Sequence, residues 1–164
     1  MTHRLVLMRH AKSSWAEPGQ TDHARPLNER GRRDAPRVAS RLVELGWTPD
    51  AVWSSDAART RETFDLMLGA FDPAPQVTFD RDLYLGDLGS IRGAAVQWQS
   101  TWRTVLVLGH NPGLEDAAGE LSGEPIGLTT TNAVLLERGD DGGDWADALL
   151  GGWRLAGILR PKEL

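Results

Sequence analysis

Apolar positions fall along the chain in two periods. Short continuous runs occur at Leu5-Val6-Leu7-Met8, Ala51-Val52-Trp53 and Val105-Leu106-Val107-Leu108. Ala133-Val134-Leu135-Leu136 and the span Trp153 to Leu159 come after them. Runs this short, rich in β-branched and large aliphatic side chains, predict buried strands. Gln76 to Phe79, bracketed by Pro73, Pro75 and Asp80, predicts one more. Between the strands the period changes to that of a helix. Ala35, Val38, Ala39, Leu42 and Leu45 form an apolar stripe, opened by Asn28 as N-cap and stopped by Gly46, with Pro49 just beyond. Pro36 lies inside this stripe and predicts a kink or a late start. A second helix comes after Ser54-Ser55, with Ser55 as candidate cap, through Phe64, Met67 and Leu68. Two more are expected at Ser90 to Trp98 and Leu114 to Leu121. Strands alternating with helices make an α/β protein with a mostly parallel central sheet. The last strand is expected to return as an antiparallel edge.

In such a sheet, ligands sit just beyond the carboxyl ends of the strands. The first run passes directly into Arg9-His10-Ala11-Lys12, and the run at Val105–Leu108 into Gly109-His110-Asn111-Pro112-Gly113. Two strand-end histidines in a chain with four in all point to a shared site. Arginine offers a fixed fork of donors for phosphate oxygens. Imidazole can act as base, nucleophile or metal ligand. The strand at Ala51 hands over to a helix start at Asp56–Thr63, where free N–H groups favour an anion and Arg59 stands one turn in. Arg61 projects to another side of that helix.

Other candidates are weaker. The irregular loop Ser13 to Pro26 lies over the strand-end pocket and carries Arg25. Arg25 either adds positive charge there or pairs with Asp22 on the surface. The segment Arg81–Asp87 offers Asp82 as a possible proton donor, or simply as a solvated acid. The charged face Arg30, Arg32, Arg33, Asp34, Arg37 and Arg41 reads as exposed helix surface. Gly139–Gly143 is a turn cluster. Of seven tryptophans, most suit packing, and Trp15 could line the pocket mouth.

Composition narrows the field. The 164 residues suit a single domain, with 40% hydrophobic and 25% charged residues. A net charge of −5 argues against a general nucleic-acid binder. No apolar run approaches the roughly 18 residues that span a bilayer, and the first residues do not form a signal peptide, so a cytoplasmic location is the default expectation. The absence of cysteine excludes disulfides and thiolate metal sites.

These groups fit phosphoryl transfer, in which charge spreads over three oxygens and positive donors do most of the work. His10 would attack phosphorus through one ring nitrogen while its other nitrogen is held by a backbone carbonyl. Arg9, Arg59 and His110 would hold the oxygens, and water would later release inorganic phosphate. No metal or cofactor is needed for this scheme. A metal site on His10 and His110 is disfavoured by the adjacent Arg9.

Arg9-His10-Ala11 resembles the RHG-type signature of the histidine phosphatase superfamily. Ser54-Ser55 with Arg59-Thr60 resembles its second-strand motif, and Gly109-His110 its second histidine. Arg25-Pro26-Leu27 with Gly31, and Gly109-His110-Asn111-Pro112, look most like the short phosphohistidine phosphatase branch, the SixA type. The resemblance implies a phosphoglycerate mutase-like fold, a three-layer α/β/α sandwich. It implies His10 as nucleophile and Arg9, Arg59 and His110 as phosphate ligands. Ala11 stands where the signature has glycine. The superfamily's acid after the third strand would correspond to Asp82, which the short branch can dispense with. The expected substrate is phosphohistidine on a partner protein. The alternatives are a small phosphomonoester, such as a sugar phosphate or nucleotide, and a silent phosphate-binding module.

Overall fold

The computed structural model describes residues 2–139 and 143–164; Asp140 to Gly142 of the expected turn cluster lie outside them. The strands are β1 (Thr2–Arg9), β2 (Ala51–Ser55), β3 (Gln76–Asp80), β4 (Thr104–Gly109), β5 (Ala133–Gly139) and β6 (Arg154–Leu159). The helices are α1 (Glu29–Glu44), α2 (Ala58–Leu68), α3 (Leu88–Ala95), α4 (Gly113–Ser122) and α5 (Trp145–Ala148). The six strands form one sheet in the order β3-β2-β4-β1-β5-β6. β3, β2, β4 and β1 run parallel, and β5 is antiparallel to β1. The edge strand β6 is antiparallel to its neighbour β5, so the reversal of direction enters at β5.

Helices cover both faces. On one, Leu5, Leu7, Trp53, Val105 and Val107 pack beneath α3, α4 and α5. On the other, Val6, Met8, Val52, Leu106 and Leu108 pack beneath α1 and α2. Alternation along β1 therefore feeds two cores, which is why its run is apolar throughout rather than every second residue. Leu5, Val6, Leu7 and Met8 are all fully buried. Each contributes about 1.5–3 kcal/mol by leaving water.

Asn28 caps α1 as expected, its Oδ1 accepting the Gly31 N–H at 2.9 Å. The helix starts at Glu29, so Pro36 marks no late start; it sits mid-helix and removes one donor. Gly46, at φ +79°, closes α1 in a Schellman turn: Trp47 N–H donates to the Leu42 carbonyl and Gly46 N–H to that of Val43. Asp34 departs from the expected exposed face. It is buried and ion-paired with Arg30, Arg33 and Arg37. α3 begins two residues before the expected Ser90 because Asp87 caps it. The short α5, unread in the sequence, buries Trp145, whose Nε1–H donates to the Trp102 carbonyl. Among the described residues no helix is long and apolar enough to cross a membrane.

Candidate active site

Backbone register brings the two histidines together. β1 and β4 are neighbours, with Arg9 opposite Gly109, and His10 N–H donates to the Gly109 carbonyl at 3.1 Å. His10 and His110 thus leave adjacent strands side by side, their ring centroids 5.3 Å apart. Both are buried.

Arg59 reaches between them from the first turn of α2. Its Nε–H lies 3.3 Å from His10 Nε2, and its Nη2 lies 3.2 Å from His110 Nδ1. A guanidinium only donates, so both facing ring nitrogens are bare. The partner nitrogens agree. His10 Nδ1 donates to the Ala11 carbonyl at 2.7 Å, and His110 Nε2 donates to Ser55 Oγ at 2.8 Å. Each imidazole is therefore fixed as one tautomer, and His10 presents a lone pair on Nε2. Burial pushes the pKa of both rings down to about 3, and the charge of Arg59 adds to the shift. Both rings are neutral near pH 7.

Ser55 does not cap α2 as the sequence predicts. Ala57 stands at the N-cap, and Ser55 Oγ accepts the Ala57 N–H at 3.2 Å while anchoring His110. Thr63 ties the segment after His10 to α2: its Oγ1 accepts the Ala11 N–H at 3.0 Å and donates to the Arg59 carbonyl at 2.6 Å. Arg9 is half-buried at the end of β1 and donates from Nη1 to the Leu128 carbonyl at 3.1 Å. Its buried Nε–H has no protein partner. Its charge and that of Arg25 both act on the His10 ring.

The two readings of Arg25 merge. It pairs with Asp22 at 3.1 Å and also donates to Ser13 Oγ, but it does so buried at the pocket rim rather than on the surface. Asp22 is itself part of the site. Its carboxylate meets Arg59 Nη2 at 3.1 Å, its carbonyl accepts from Arg59 Nη1 at 2.7 Å, and Tyr84 Oη donates to its Oδ2 at 2.5 Å. The Tyr84 hydrogen bond, with Arg25 and Arg59, holds the Asp22 carboxyl well below the usual range. Burial and that same carboxylate push the Tyr84 phenol up.

Asp82 lies apart from this cluster. The 3-10 turn Arg81–Leu83 buries Leu83 and leaves Asp82 exposed beside an open cavity of about 530 Å³, lined also by Asp80, Asp87 and Ser90. The residue of this segment that reaches the site is Tyr84, whose ring stands edge-on to His110 at 5.4 Å. Its placement depends on a close approach between its loop and α4: a Cβ on Gly113 would fall 1.8 Å from the Gly86 carbonyl oxygen. Arg61 points away, over the Phe79 ring at 4.1 Å. Among the described residues no group of three or more His, Cys, Asp or Glu side chains is placed to hold a metal ion.

Sequence reasoning passed over Asp22, Ser55 and Tyr84 as working parts. Tyr84 carried a usable signal: it is the sole tyrosine, and it comes after a strand whose carboxyl end faces the pocket.

A neutral imidazole with a fixed lone pair, ringed by guanidiniums at the carboxyl edge of a mostly parallel sheet, has the makings of an anion site with a nucleophile at its floor. Residues 5–124 match the model of the histidine phosphatase superfamily (branch 1), and the chain belongs to that superfamily. It is a hydrolase of the phosphatase class, with the fold of the short SixA-type branch. An uncharacterized chloroplastic protein of Arabidopsis thaliana is 38% identical over 99% of this chain and 80% of its own length. The structure of a putative phosphohistidine phosphatase SixA from Nakamurella multipartitia superimposes with a TM-score of 0.84 at 29% identity, covering 98% of this chain and 97% of that one. A putative SixA from Agrobacterium tumefaciens gives 0.82 at 29% identity, over 97% and 98%.

Proposed function

We propose that this chain, acting as one histidine phosphatase domain over residues 1–164, removes the phosphoryl group from phosphohistidine on a partner protein. The His10 Nε2 lone pair attacks phosphorus. The bond from phosphorus to the substrate's ring nitrogen breaks, and the substrate ring, protonated by solvent at its other nitrogen, leaves as neutral imidazole with the electron pair. Arg9 and Arg59 hold the oxygens as charge shifts among them, joined by His110 once the bound dianion has drawn a proton onto its bare Nδ1. Water then attacks the phosphohistidine at His10, restoring the neutral ring and releasing inorganic phosphate.

One observation carries the choice of substrate. Asp22, bonded into the cluster, is held ionised by Tyr84, Arg25 and Arg59; Glu115 near Arg9 is engaged by Asn111 and the Leu128 N–H, and Asp82 is exposed outside the cluster. An ionised carboxylate is a poor proton donor. An alkoxide leaving group needs that proton; an imidazole leaving from a phosphoramidate does not. The similarity to the putative phosphohistidine phosphatases above supports the same reading.

The test compares a phosphohistidine-bearing protein with a simple alkyl phosphate. Rapid alkaline quench with labelled substrate should trap an acid-labile phosphoenzyme that His10→Ala abolishes. Phosphohistidine should be turned over at least a hundredfold faster than the alkyl ester. Asp82→Asn should leave the first reaction within about twofold. A large loss there, or equal rates on the two substrates, would replace this reading with a phosphomonoesterase. Tight phosphate binding without any phosphoenzyme would mean a silent binding module.

A further inference from the structure

Trp15 is 76% exposed, an unusual position for an indole on an ordered rim. The loop that carries it is closed at its base. Ser13 and Leu27 form a β-bridge, and Ser14 N–H donates to the Pro26 carbonyl at 2.8 Å. The Arg25 guanidinium lies over the indole, 3.7 Å from the ring centroid. The same guanidinium bonds Ser13 Oγ and Asp22, and its charge acts on both His10 and His110. Trp15 is thus one side chain removed from the phosphate pocket. So exposed a side chain contributes little to the core.

We propose that Trp15, backed by Arg25, is a specificity-determining platform for a planar leaving group. The inference rests on the phosphatase reading above and deepens it. In an in-line displacement the leaving atom stands opposite the attacking His10 Nε2 and points out of the pocket toward the rim. A ring attached at that atom, the imidazole of phosphohistidine among others, comes out beside the indole and stacks on it. Arg25 holds the indole in place from one side and polarises it. An aliphatic leaving group has no face to offer and gains much less.

Binding of two phosphonates separates the ring from the chemistry, since neither can be hydrolysed at phosphorus. Phenylphosphonate and methylphosphonate are titrated into wild type, Trp15→Ala and Trp15→Phe by calorimetry. Wild type should prefer the phenyl compound. Trp15→Ala should reduce the phenyl-to-methyl affinity ratio about tenfold, and Trp15→Phe should restore most of it. A ratio unchanged within twofold in Trp15→Ala overturns the proposal, as does failure of wild type to bind either compound. Turnover of N-phosphoimidazole by the same wild-type preparation reports separately on the phosphatase reading. Turnover without a change of ratio retains the phosphatase and removes the platform.

Discussion

Asp22 holds Arg59 twice, through its carbonyl on Nη1 at 2.7 Å and its carboxylate on Nη2 at 3.1 Å, while Nε of the same guanidinium faces His10 and the shared Nη2 also faces His110. The site is therefore self-paired: an internal carboxylate bonds a guanidinium that the proposed mechanism assigns to the incoming phosphate. Asp22→Asn keeps the shape and removes the competing charge. Inhibition by inorganic phosphate should strengthen roughly fivefold, read as a lower Ki, because a like charge near the bound dianion is gone. Loss of charge-assisted hydrogen bonds should lower stability by about 1 kcal/mol, the modest figure reflecting a carboxylate that is 40% exposed. Weaker phosphate inhibition would show that Asp22 orients Arg59 more than it competes with phosphate.

Both buried imidazoles have folded-state pKa values near 3, against 6.5 for the free side chain. Between these limits the unfolded chain binds more protons than the native one, so stability falls as pH drops from about 6.5 toward 3. Each ring accounts for about 1.4 kcal/mol per pH unit in that window. Asp22 acts in the same direction at lower pH, since its depressed carboxyl stabilises above its unfolded value of 3.8 and loses that contribution as it is protonated. Urea titrations from pH 7 to pH 4 should show the slope, and His10→Asn should reduce it. Imidazole proton resonances of His10 and His110 that titrate near 6.5 would contradict the burial argument.

Phosphate binding should take up protons. His110 Nδ1 is bare and faces Arg59, and a dianion beside it favours the imidazolium. Calorimetric titration with phosphate at pH 6, in two buffers of different ionisation enthalpy, should give a net uptake of a fraction of a proton per site that shrinks as pH rises, because the ring starts from a pKa of about 3. Ser55→Ala, by removing the acceptor for His110 Nε2, should release the ring from its fixed tautomer. We expect kcat/KM to fall about tenfold with a lesser change in stability.

Gly113→Ala tests the packing under Tyr84. Its Cβ would overlap the Gly86 carbonyl, which is backbone and cannot swing aside. A loss of more than about 2 kcal/mol is expected, together with a change in the Tyr84 ring resonances. Gly93→Ala, where a Cβ meets nothing within 4 Å, serves as the control on a neighbouring helix.

The frame and the histidine pair were legible because both are local. Runs such as Leu5–Met8 and Val105–Leu108 announce buried strands, and the residues just past a buried strand in a parallel sheet sit at the ligand edge. Arg59 was legible for the same reason, standing one turn into a helix. Asp22 and Tyr84 were not, because 62 residues separate them and their meeting depends on two loops folding over one strand end. Asp82 drew attention as an acid after the third strand. The 3-10 turn at Arg81–Leu83 rotates it outward and delivers the next aromatic residue instead. Asp34 looked like one more charge on a solvated face until the arginines of its own helix folded over it.

The spacing of the two histidines is stored in the pairing of β1 with β4, where a backbone ladder fixes Arg9 against Gly109. No loop is asked to set it. Outside Asp22 and Arg25, which bond into the site, the long excursion between Ser13 and Leu27, tied off at its neck, can accordingly drift in length and side chains without moving the two histidines apart. Selection for a new substrate can rewrite the rim while the chemistry beneath stays as it is.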